Sequence, residues 1–292
     1  MTTLTRADGS RPEDFHLSRR GLAAAVFFSG YAPFALSACA APVHTDEDGL
    51  IIETVSLPSP DRALPAYLAR PAAPGPHPAV IVVSEIFGIH DYIKDICRRL
   101  AKLGYVAIAP AFFVRVGDPA PLTDFGAIMK IVQAAPDRQV LGDVEAALKL
   151  LKADPHVDPS RIAITGFCWG GRVVWQSCES FPAIKAGVAW YGHMAPAKDA
   201  APDPSKFWPL DHVARLKAPV LGLYGGLDKG IPADEREAMT AALKAHGKTG
   251  SQIVTYPDAE HGFHADYRPS YNPADAKDGW ARMLAHFRRN GV

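Results

Sequence analysis

Short apolar segments alternate with segments of helical periodicity along most of this chain, and this alternation restricts the fold more than any other feature. Residues 78–84 (PAVIVVS) form the unbroken apolar run that is typical of a strand buried on both faces. Residues 91–103 then carry apolar side chains at helical spacing, and the same order recurs towards the C-terminus. We therefore predict an α/β fold with a mostly parallel central sheet, helices on both faces and right-handed crossovers.

The apolar pattern also sets the expected bounds of the elements. An N-terminal antiparallel hairpin is predicted at 51–57 and 64–70, around a Pro-Ser-Pro-Asp turn. Later strands are expected at 78–84, 105–109, 161–165, 185–190, 219–224 and 252–256, and helices at 91–103, 122–133, 138–152, 169–179, 233–246 and 274–289. In open sheets of this kind, ligands bind at the carboxyl ends of the strands.

The first 45 residues differ from this pattern and resemble an export signal. Arg19 and Arg20 precede an apolar stretch from Gly21 to about Leu36, and small residues follow. Adjacent arginines before a mildly apolar stretch are typical of a twin-arginine signal. A membrane anchor is the alternative, but the stretch is shorter than the roughly 20 residues that span a bilayer. We predict an export signal with a short linker over 1–45 and a single domain over 46–292.

The processing site of this signal stays open at Cys39. Leu36-Ser37-Ala38-Cys39 resembles a lipobox, in which Cys39 would be lipidated and become the mature N-terminus. Ala38-Cys39-Ala40 would equally serve an ordinary signal peptidase. We predict an exported, periplasmic protein that meets the membrane only through the signal or a lipid on Cys39.

Residues 166–171, Gly-Phe-Cys-Trp-Gly-Gly, place a thiol between a predicted strand and a predicted helix. Cys168 has glycines at minus two, plus two and plus three, which remove Cβ atoms that would clash in a sharp turn. The following helix start offers backbone N–H groups and a positive dipole end, which favour a thiolate and an oxyanion. The stretch is typical of a nucleophile elbow with sulfur in place of oxygen. The alternative is that Cys168 is a small buried apolar residue.

An acid and a histidine follow Cys168 in the chain order of hydrolases with such an elbow. Asp228 comes after the seventh predicted strand in a Gly-Gly-Leu-Asp loop, and His261 comes after the eighth. His261 would hold Cys168 as a thiolate and move its proton, while Asp228 would orient the imidazole. Glu260 is an alternative acid and His264 an alternative base.

These motifs resemble those of the dienelactone hydrolase (carboxymethylenebutenolidase) family of the α/β-hydrolase superfamily. The resemblance covers about residues 50 to 290, and its motifs are Ser-Glu-Ile-Phe-Gly at 84–88, Ala-Pro-Ala-Phe-Phe at 109–113, the cysteine elbow, the Gly-Gly-Leu-Asp loop and His-Gly-Phe-His at 261–264. It implies the α/β-hydrolase fold, with Cys168 as nucleophile, His261 as base and Asp228 as orienting acid.

Three further roles follow from the same resemblance. Glu85 is implied to contact the resting cysteine and to take part in its activation. The backbone N–H groups of Ile86 and Trp169 are implied to form the oxyanion hole. Glu85 also closes a buried apolar strand, where a carboxylate is costly unless it is paired or functional; a solvated strand end is the alternative.

The substrate-binding positions match the family only in part. The resemblance implies that arginines bind the substrate carboxylate, and Arg115 matches one such position. Ala265 occupies the other, and Arg268, three residues further on, is a candidate replacement. Phe87 and Tyr191 are predicted to line the substrate pocket.

We therefore predict a hydrolase of small esters or lactones, of the dienelactone type, with a Cys168–His261–Asp228 triad and an acyl-cysteine intermediate. Two alternatives stay open: a general carboxylesterase or thioesterase without preference for anionic lactones, and an exported binding protein without catalysis. The net charge is zero and no basic block occurs, which argues against a nucleic-acid partner. We expect a small-molecule substrate, no cofactor, no metal and a monomer, with Cys97 and Cys178 as structural cysteines.

Overall fold

The computed structural model describes residues 42–198 and 200–292. Eight strands form one sheet in the order β1-β2-β4-β3-β5-β6-β7-β8. The strands are β1 (Leu50–Pro58), β2 (Ala63–Pro71), β3 (His77–Val83), β4 (Val106–Pro110), β5 (Val157–Phe167), β6 (Ile184–Trp190), β7 (Val220–Gly225) and β8 (Gln252–Tyr256). The predicted export signal and Cys39 fall on residues 1–41, outside the described part of the chain, so they stay predictions.

Helices cover both faces of this sheet. They are α1 (Asp91–Lys102), α2 (Phe125–Gln133), α3 (Asp137–Ala153), α4 (Trp169–Ser180), α5 (Pro209–His212), α6 (Ala233–Ala245) and α7 (Pro273–Arg289). No helix in the described ranges combines the length and the apolarity that crossing a bilayer requires.

The strand pairings confirm the predicted sheet. β1 and β2 form the antiparallel hairpin and β2 pairs antiparallel with β4, while every later pairing is parallel. β3 lies between β4 and β5, and its residues 79–83 are fully buried, as the continuous apolar run predicts. Since parallel strands point the same way, the loops that follow β3, β5, β6, β7 and β8 share one edge of the sheet.

Two local differences from the prediction have physical causes. β5 begins at Val157, before the predicted 161, because Val157 pairs with His77 across a register shift. Helix α2 begins at Phe125 because the Asp124 side chain accepts a hydrogen bond from the N–H of Ala127 at 2.7 Å and caps it. The short helix α5 was not predicted, because four residues are too few to show helical periodicity.

Candidate active site

Cys168 lies at the sharp turn between β5 and α4. Its backbone has φ 55° and ψ −117°, a left-handed conformation that costs energy for any residue with a Cβ. A hydrogen bond to the neighbouring strand fixes the turn: the N–H of Cys168 donates to the carbonyl oxygen of Trp190, the last residue of β6, at 2.9 Å. The strained turn raises the thiol above the edge of the sheet and leaves it half-buried.

Neighbouring glycines let the backbone segments at this turn approach closely. A Cβ on Gly166 would lie 2.4 Å from the carbonyl oxygen of Gly170. A Cβ on Gly170 would lie 2.5 Å from the carbonyl oxygen of Ser84, at the end of β3. Any side chain at either position would force β5, α4 and the β3 end apart, so the glycines are required for the elbow.

His261 and Asp228 reach the same edge from the loops after β8 and β7. The Nδ1–H of His261 donates to Asp228 Oδ2 at 2.7 Å, and the N–H of Gly230 donates to Asp228 Oδ1 at 2.8 Å. Both side chains are buried. Because Nδ1 is held by the carboxylate, Nε2 is the ring nitrogen left for the hydrogen bond between His261 and Cys168.

The charges of these three groups favour an ion pair. Burial alone would raise the pKa of the Cys168 thiol, but the charge and hydrogen bond of His261 bring it below its ordinary value. Burial alone would lower the pKa of His261, but Cys168 and Asp228 together raise it to about 10. These opposite shifts favour the thiolate–imidazolium form of the pair over the neutral thiol and imidazole.

A second group of polar side chains, the Glu85 cluster (Glu85, His90, Tyr267 and Arg268), lies at the same edge of the sheet, and the charges of Glu85 and Arg268 act on the pKa of the Cys168 thiol. Arg268 Nη2 donates to Glu85 Oε1 at 2.9 Å, and the Tyr267 hydroxyl donates to Oε2 at 2.5 Å. His90 Nε2 lies 3.6 Å from Oε2. Burial would raise the pKa of Glu85, but Arg268, His90 and Tyr267 lower it to about 2, so the carboxylate is ionised.

A sequence model of the dienelactone hydrolase family matches residues 64–291, a range that includes the elbow, Asp228, His261 and the Glu85 cluster. The chain belongs to the dienelactone hydrolase family. It is therefore a hydrolase with the α/β-hydrolase fold, as the resemblance implied.

Relatives of known sequence and structure agree with this membership. A provisionally named carboxymethylenebutenolidase of Methylorubrum extorquens is 48% identical over 279 residues, covering 94% of each chain. One of Escherichia coli K12 with the same provisional name is 45% identical over 265 residues, covering 90% of this chain and 96% of its own. The crystal structure of a provisionally named dienelactone hydrolase from Klebsiella pneumoniae is 48% identical, with a TM-score of 0.77 over 82% of this chain and 99% of that one.

Most of the other predicted site residues of this dienelactone hydrolase family member lie at the same edge of the sheet as Cys168. Trp169 is the first residue of α4 and Ile86 follows Glu85 after β3, so the two proposed oxyanion N–H groups come from adjacent strand ends. The Tyr191 ring lies 5.1 Å from the His261 ring, and Phe87 faces the Arg268 guanidinium at 5.2 Å.

Arg115 is the predicted site residue that the structure places with other partners. Its Nε and Nη2 donate to the two carboxylate oxygens of Asp61 at 2.7 and 2.6 Å. Its Nη1 and Nη2 donate to Asp143, in α3, at 2.8 Å each, and Nη2 also donates to Ser59 Oγ at 2.9 Å. The guanidinium thus joins the β1–β2 turn to α3, and none of these contacts is with the Glu85 cluster or the thiol.

The two alternative triad members have other surroundings. Glu260 is exposed, whereas Asp228 is the acid hydrogen-bonded to His261. His264 lies in an aromatic cage, where the Tyr92 hydroxyl donates to its Nδ1 at 2.7 Å. Burial lowers the pKa of His264 to about 3, so its ring stays neutral near pH 7, and its Nδ1 is already hydrogen-bonded to Tyr92.

Tyr267 and His90 contact Glu85 and were not predicted from the sequence. His90 directly precedes α1, in the loop after β3, and that position at the carboxyl edge was a signal that could have found it. Tyr267 had no such signal, because it lies in an irregular loop where no periodicity shows the direction of a side chain.

Proposed function

We propose that this hydrolase cleaves small carboxylic esters or lactones through a covalent acyl-cysteine on Cys168. The observation that carries the proposal is the geometry at the strained elbow, where Cys168 is hydrogen-bonded to His261 and Asp228 holds the imidazole at 2.7 Å. A thiolate at a helix start, beside two candidate N–H donors, is suited to attack a carbonyl carbon.

In the first half of the reaction, the Cys168 sulfur attacks the carbonyl carbon and the carbonyl oxygen becomes an oxyanion. The N–H groups of Ile86 and Trp169 would hold that oxyanion. The C–O bond to the leaving group then breaks, and the His261 imidazolium gives its proton to the departing alkoxide. The products of this half are the alcohol and an acyl-cysteine, or, with a lactone, one ring-opened chain bound through sulfur.

In the second half, neutral His261 takes a proton from water and the hydroxide attacks the acyl carbon. The C–S bond breaks, the carboxylic acid leaves, and the thiolate–imidazolium pair is restored. Asp228 stays ionised throughout, since its pKa is lowered by His261 against the effect of burial.

Glu85 would act on this chemistry through its charge. With its pKa near 2 it is a poor acceptor for the thiol proton, which lies on His261 in the resting state. Its negative charge disfavours the thiolate, and Arg268 offsets that effect. We propose that the ionised pair keeps the thiolate reactive and the loop after His261 in position.

The test is to trap the acyl-enzyme. Mixing the protein with excess p-nitrophenyl acetate and quenching in acid should add one acetyl group to the peptide that contains Cys168, with a burst of nitrophenol equal to the enzyme concentration. The Cys168→Ala protein, with its fold checked by circular dichroism, should give neither. Full turnover by Cys168→Ala would refute the proposal.

We also propose that the chain is exported, on the basis of Arg19, Arg20 and the apolar stretch after them. Expression with and without Arg19→Lys plus Arg20→Lys, followed by cell fractionation, tests this. We expect the double variant to remain in the cytoplasm. Intact-mass analysis of the exported form would distinguish an N-terminus at Ala41 from a lipid on Cys39, and equal distribution of both proteins would contradict export.

A further inference from the structure

The loop that follows His261 contains a carboxylate that the proposed reaction does not use. Tyr267 and Arg268, in this loop, reach Glu85. Asp266 directly precedes them and is buried, but its hydrogen-bond donors lie on helix α1 and on the segment before β1. A buried carboxylate is costly unless hydrogen bonds compensate the loss of water, so the partners of Asp266 indicate what it does in the fold.

The first partner is Arg99, on helix α1. Its Nη2 donates to Asp266 Oδ2 at 2.6 Å, and its Nε donates to Asp95 Oδ2 at 2.5 Å. Asp95 lies one turn earlier on the same helix and is also buried, so it fixes the direction of the guanidinium. Since α1 directly follows the loop that contains Glu85, Arg99 ties the loop after His261 to the segment that carries that glutamate.

The second partner is a short segment before β1, the N-terminal strap (residues 43–46). The N–H of Val43 donates to Asp266 Oδ2 at 3.3 Å, and the N–H of Thr45 donates to Asp95 Oδ1 at 2.6 Å. The strap itself is exposed or half-buried, whereas both carboxylates beneath it are buried. Each carboxylate therefore receives one backbone N–H group from the strap, and the strap completes their hydrogen bonding.

Another hydrogen bond to α1 occurs earlier in the same loop. The Tyr92 hydroxyl donates to His264 Nδ1 at 2.7 Å. This bond holds the part of the loop next to His261, whereas Asp266 holds the part that reaches Glu85. Loss of the Asp266 contacts should therefore disturb the partners of Glu85 and leave the proposed catalytic histidine in place.

From these contacts we infer that Asp266 is a positioning residue of the active site, held by helix α1 and by the N-terminal strap. It fixes the direction in which Tyr267 and Arg268 leave the loop, and so the distance at which they meet Glu85. The inference rests on the proposed function, because it names what holds the loop of the same Cys168 site. The N-terminal strap is then part of the active-site support and more than a linker.

The geometry of the Glu85 contacts explains why a small displacement should matter. The Tyr267 hydroxyl and Arg268 Nη2 lie 2.5 and 2.9 Å from the carboxylate oxygens, and such bonds weaken steeply when a donor moves by about 1 Å. Arg268 offsets the effect of the Glu85 charge on the Cys168 thiolate. A loop that shifts therefore leaves the thiolate less stable, and the sulfur reacts more slowly.

The experiment measures two rates at pH 7: alkylation of Cys168 by iodoacetamide, and the nitrophenol burst with p-nitrophenyl acetate. Asp266→Ala should lower both rates about 30-fold, because the loop that carries Arg268 is displaced. Asp266→Asn keeps an oxygen that accepts from Arg99, so it should keep both rates within about fivefold of wild type. Rates in Asp266→Ala equal to those of wild type would overturn the inference.

Asp95→Ala is the matched control for loss of stability. It removes the other buried carboxylate that is bonded to Arg99 and to the strap, so urea denaturation should show a similar destabilisation. Asp266 keeps its bond to Arg99, and both rates should stay within about threefold of wild type. Equal losses of rate in Asp95→Ala and Asp266→Ala would mean general destabilisation and refute the inference. Absence of the burst in wild type would instead overturn the proposed function, and the alkylation rates would still decide the role of Asp266.

A variant of the strap decides the matter if Asp266→Ala does not fold. Val43→Pro plus Thr45→Pro removes both N–H donors from an exposed segment, and alkylation of Cys168 should slow about fivefold. His44→Pro places a proline between them and leaves both donors, so it should react as wild type does. Equal alkylation rates in the double variant and in His44→Pro would overturn the inference.

Discussion

A cysteine lies at each end of helix α4, and the surroundings shift the pKa values of the two thiols in opposite directions. Cys178, near the C-terminal end, is fully buried, and burial together with Glu179 raises the pKa of its thiol well above the ordinary value. Cys168 directly precedes the N-terminal end. Burial would raise the pKa of its thiol as well, but the charge of His261 outweighs burial and lowers that pKa. Burial alone therefore makes an inert thiol, and a partner charge is what separates a nucleophile from a core residue.

The largest expected effect separates the two cysteines by activity. Cys168→Ala should lower kcat/KM by about 10⁴-fold or more, since the proposed covalent route is lost. Cys178→Ala removes one buried sulfur and should cost only about 1 kcal/mol of stability with kcat/KM unchanged. Steady-state kinetics and urea denaturation of both variants check this, and an equal loss of activity in the two would remove the distinction.

Alkylation by iodoacetamide compares the same two thiols without any substrate. At pH 7 Cys168 should react about 10³-fold faster than Cys178 or the buried Cys97, because the thiolate is the reactive form. The rate at Cys168 should fall only as the pH drops below its lowered pKa, whereas Cys178 should react only after unfolding. Peptide mass mapping over time measures all three rates, and similar rates at Cys168 and Cys178 would contradict the assigned environments.

The variant Asp228→Asn tests whether Asp228 maintains the positive charge of His261. The amide keeps the shape but removes the anion that helps to raise the pKa of His261, so the alkaline limb of the kcat/KM profile should move to lower pH. We expect a loss of about 10²-fold at pH 7, less than in a serine triad, since a thiol ionises more readily than a hydroxyl. Glu260→Gln is the matched control on an exposed carboxylate. An unshifted alkaline limb in Asp228→Asn would show that Asp228 does not set the His261 charge.

Much of this arrangement could be predicted from the sequence because it depends on chain order and local pattern. Strand β3 is a continuous buried run, and the glycines around Cys168 mark a turn that only they permit. The positions of Asp228 and His261 follow from the rule that the loops after parallel strands share one edge. These inferences need no knowledge of side-chain direction.

The contacts of the arginines could not be predicted in the same way. Arg268 reaches Glu85 across 183 residues of sequence, and Arg115 reaches Asp143 across 28, from loops whose side-chain directions no periodicity defines. Arg115 matched a family position and still has two carboxylate partners elsewhere. A residue type at a matching position therefore indicates a possible ligand, while its role depends on which charges the fold brings to it.

The smallest expected effect concerns the C-terminal end of α4, where Glu179 adjoins Cys178. Glu179 is buried, its Oε1 has no hydrogen-bond partner among the described residues, and burial raises its pKa to about 9. The folded protein therefore holds this carboxyl protonated at pH 7, while the unfolded chain ionises it near its ordinary pKa. The contribution of Glu179 to the free energy of unfolding should then be fully present below about pH 4.5. It should decline as the pH rises towards 9, by at most about 1.4 kcal/mol per pH unit.

Glu179→Gln removes that titration and keeps the side-chain volume. Relative to wild type it should be near neutral at pH 4.5 and more stable by about 1–3 kcal/mol at pH 7, with the difference growing up to pH 9. Urea denaturation at several pH values measures it, and Glu145→Gln, on an exposed face of α3, is the control for a carboxylate already in water. A stability difference that does not grow with pH would mean that Glu179 is already ionised in the fold at neutral pH, and that burial does not raise its pKa as the structure indicates.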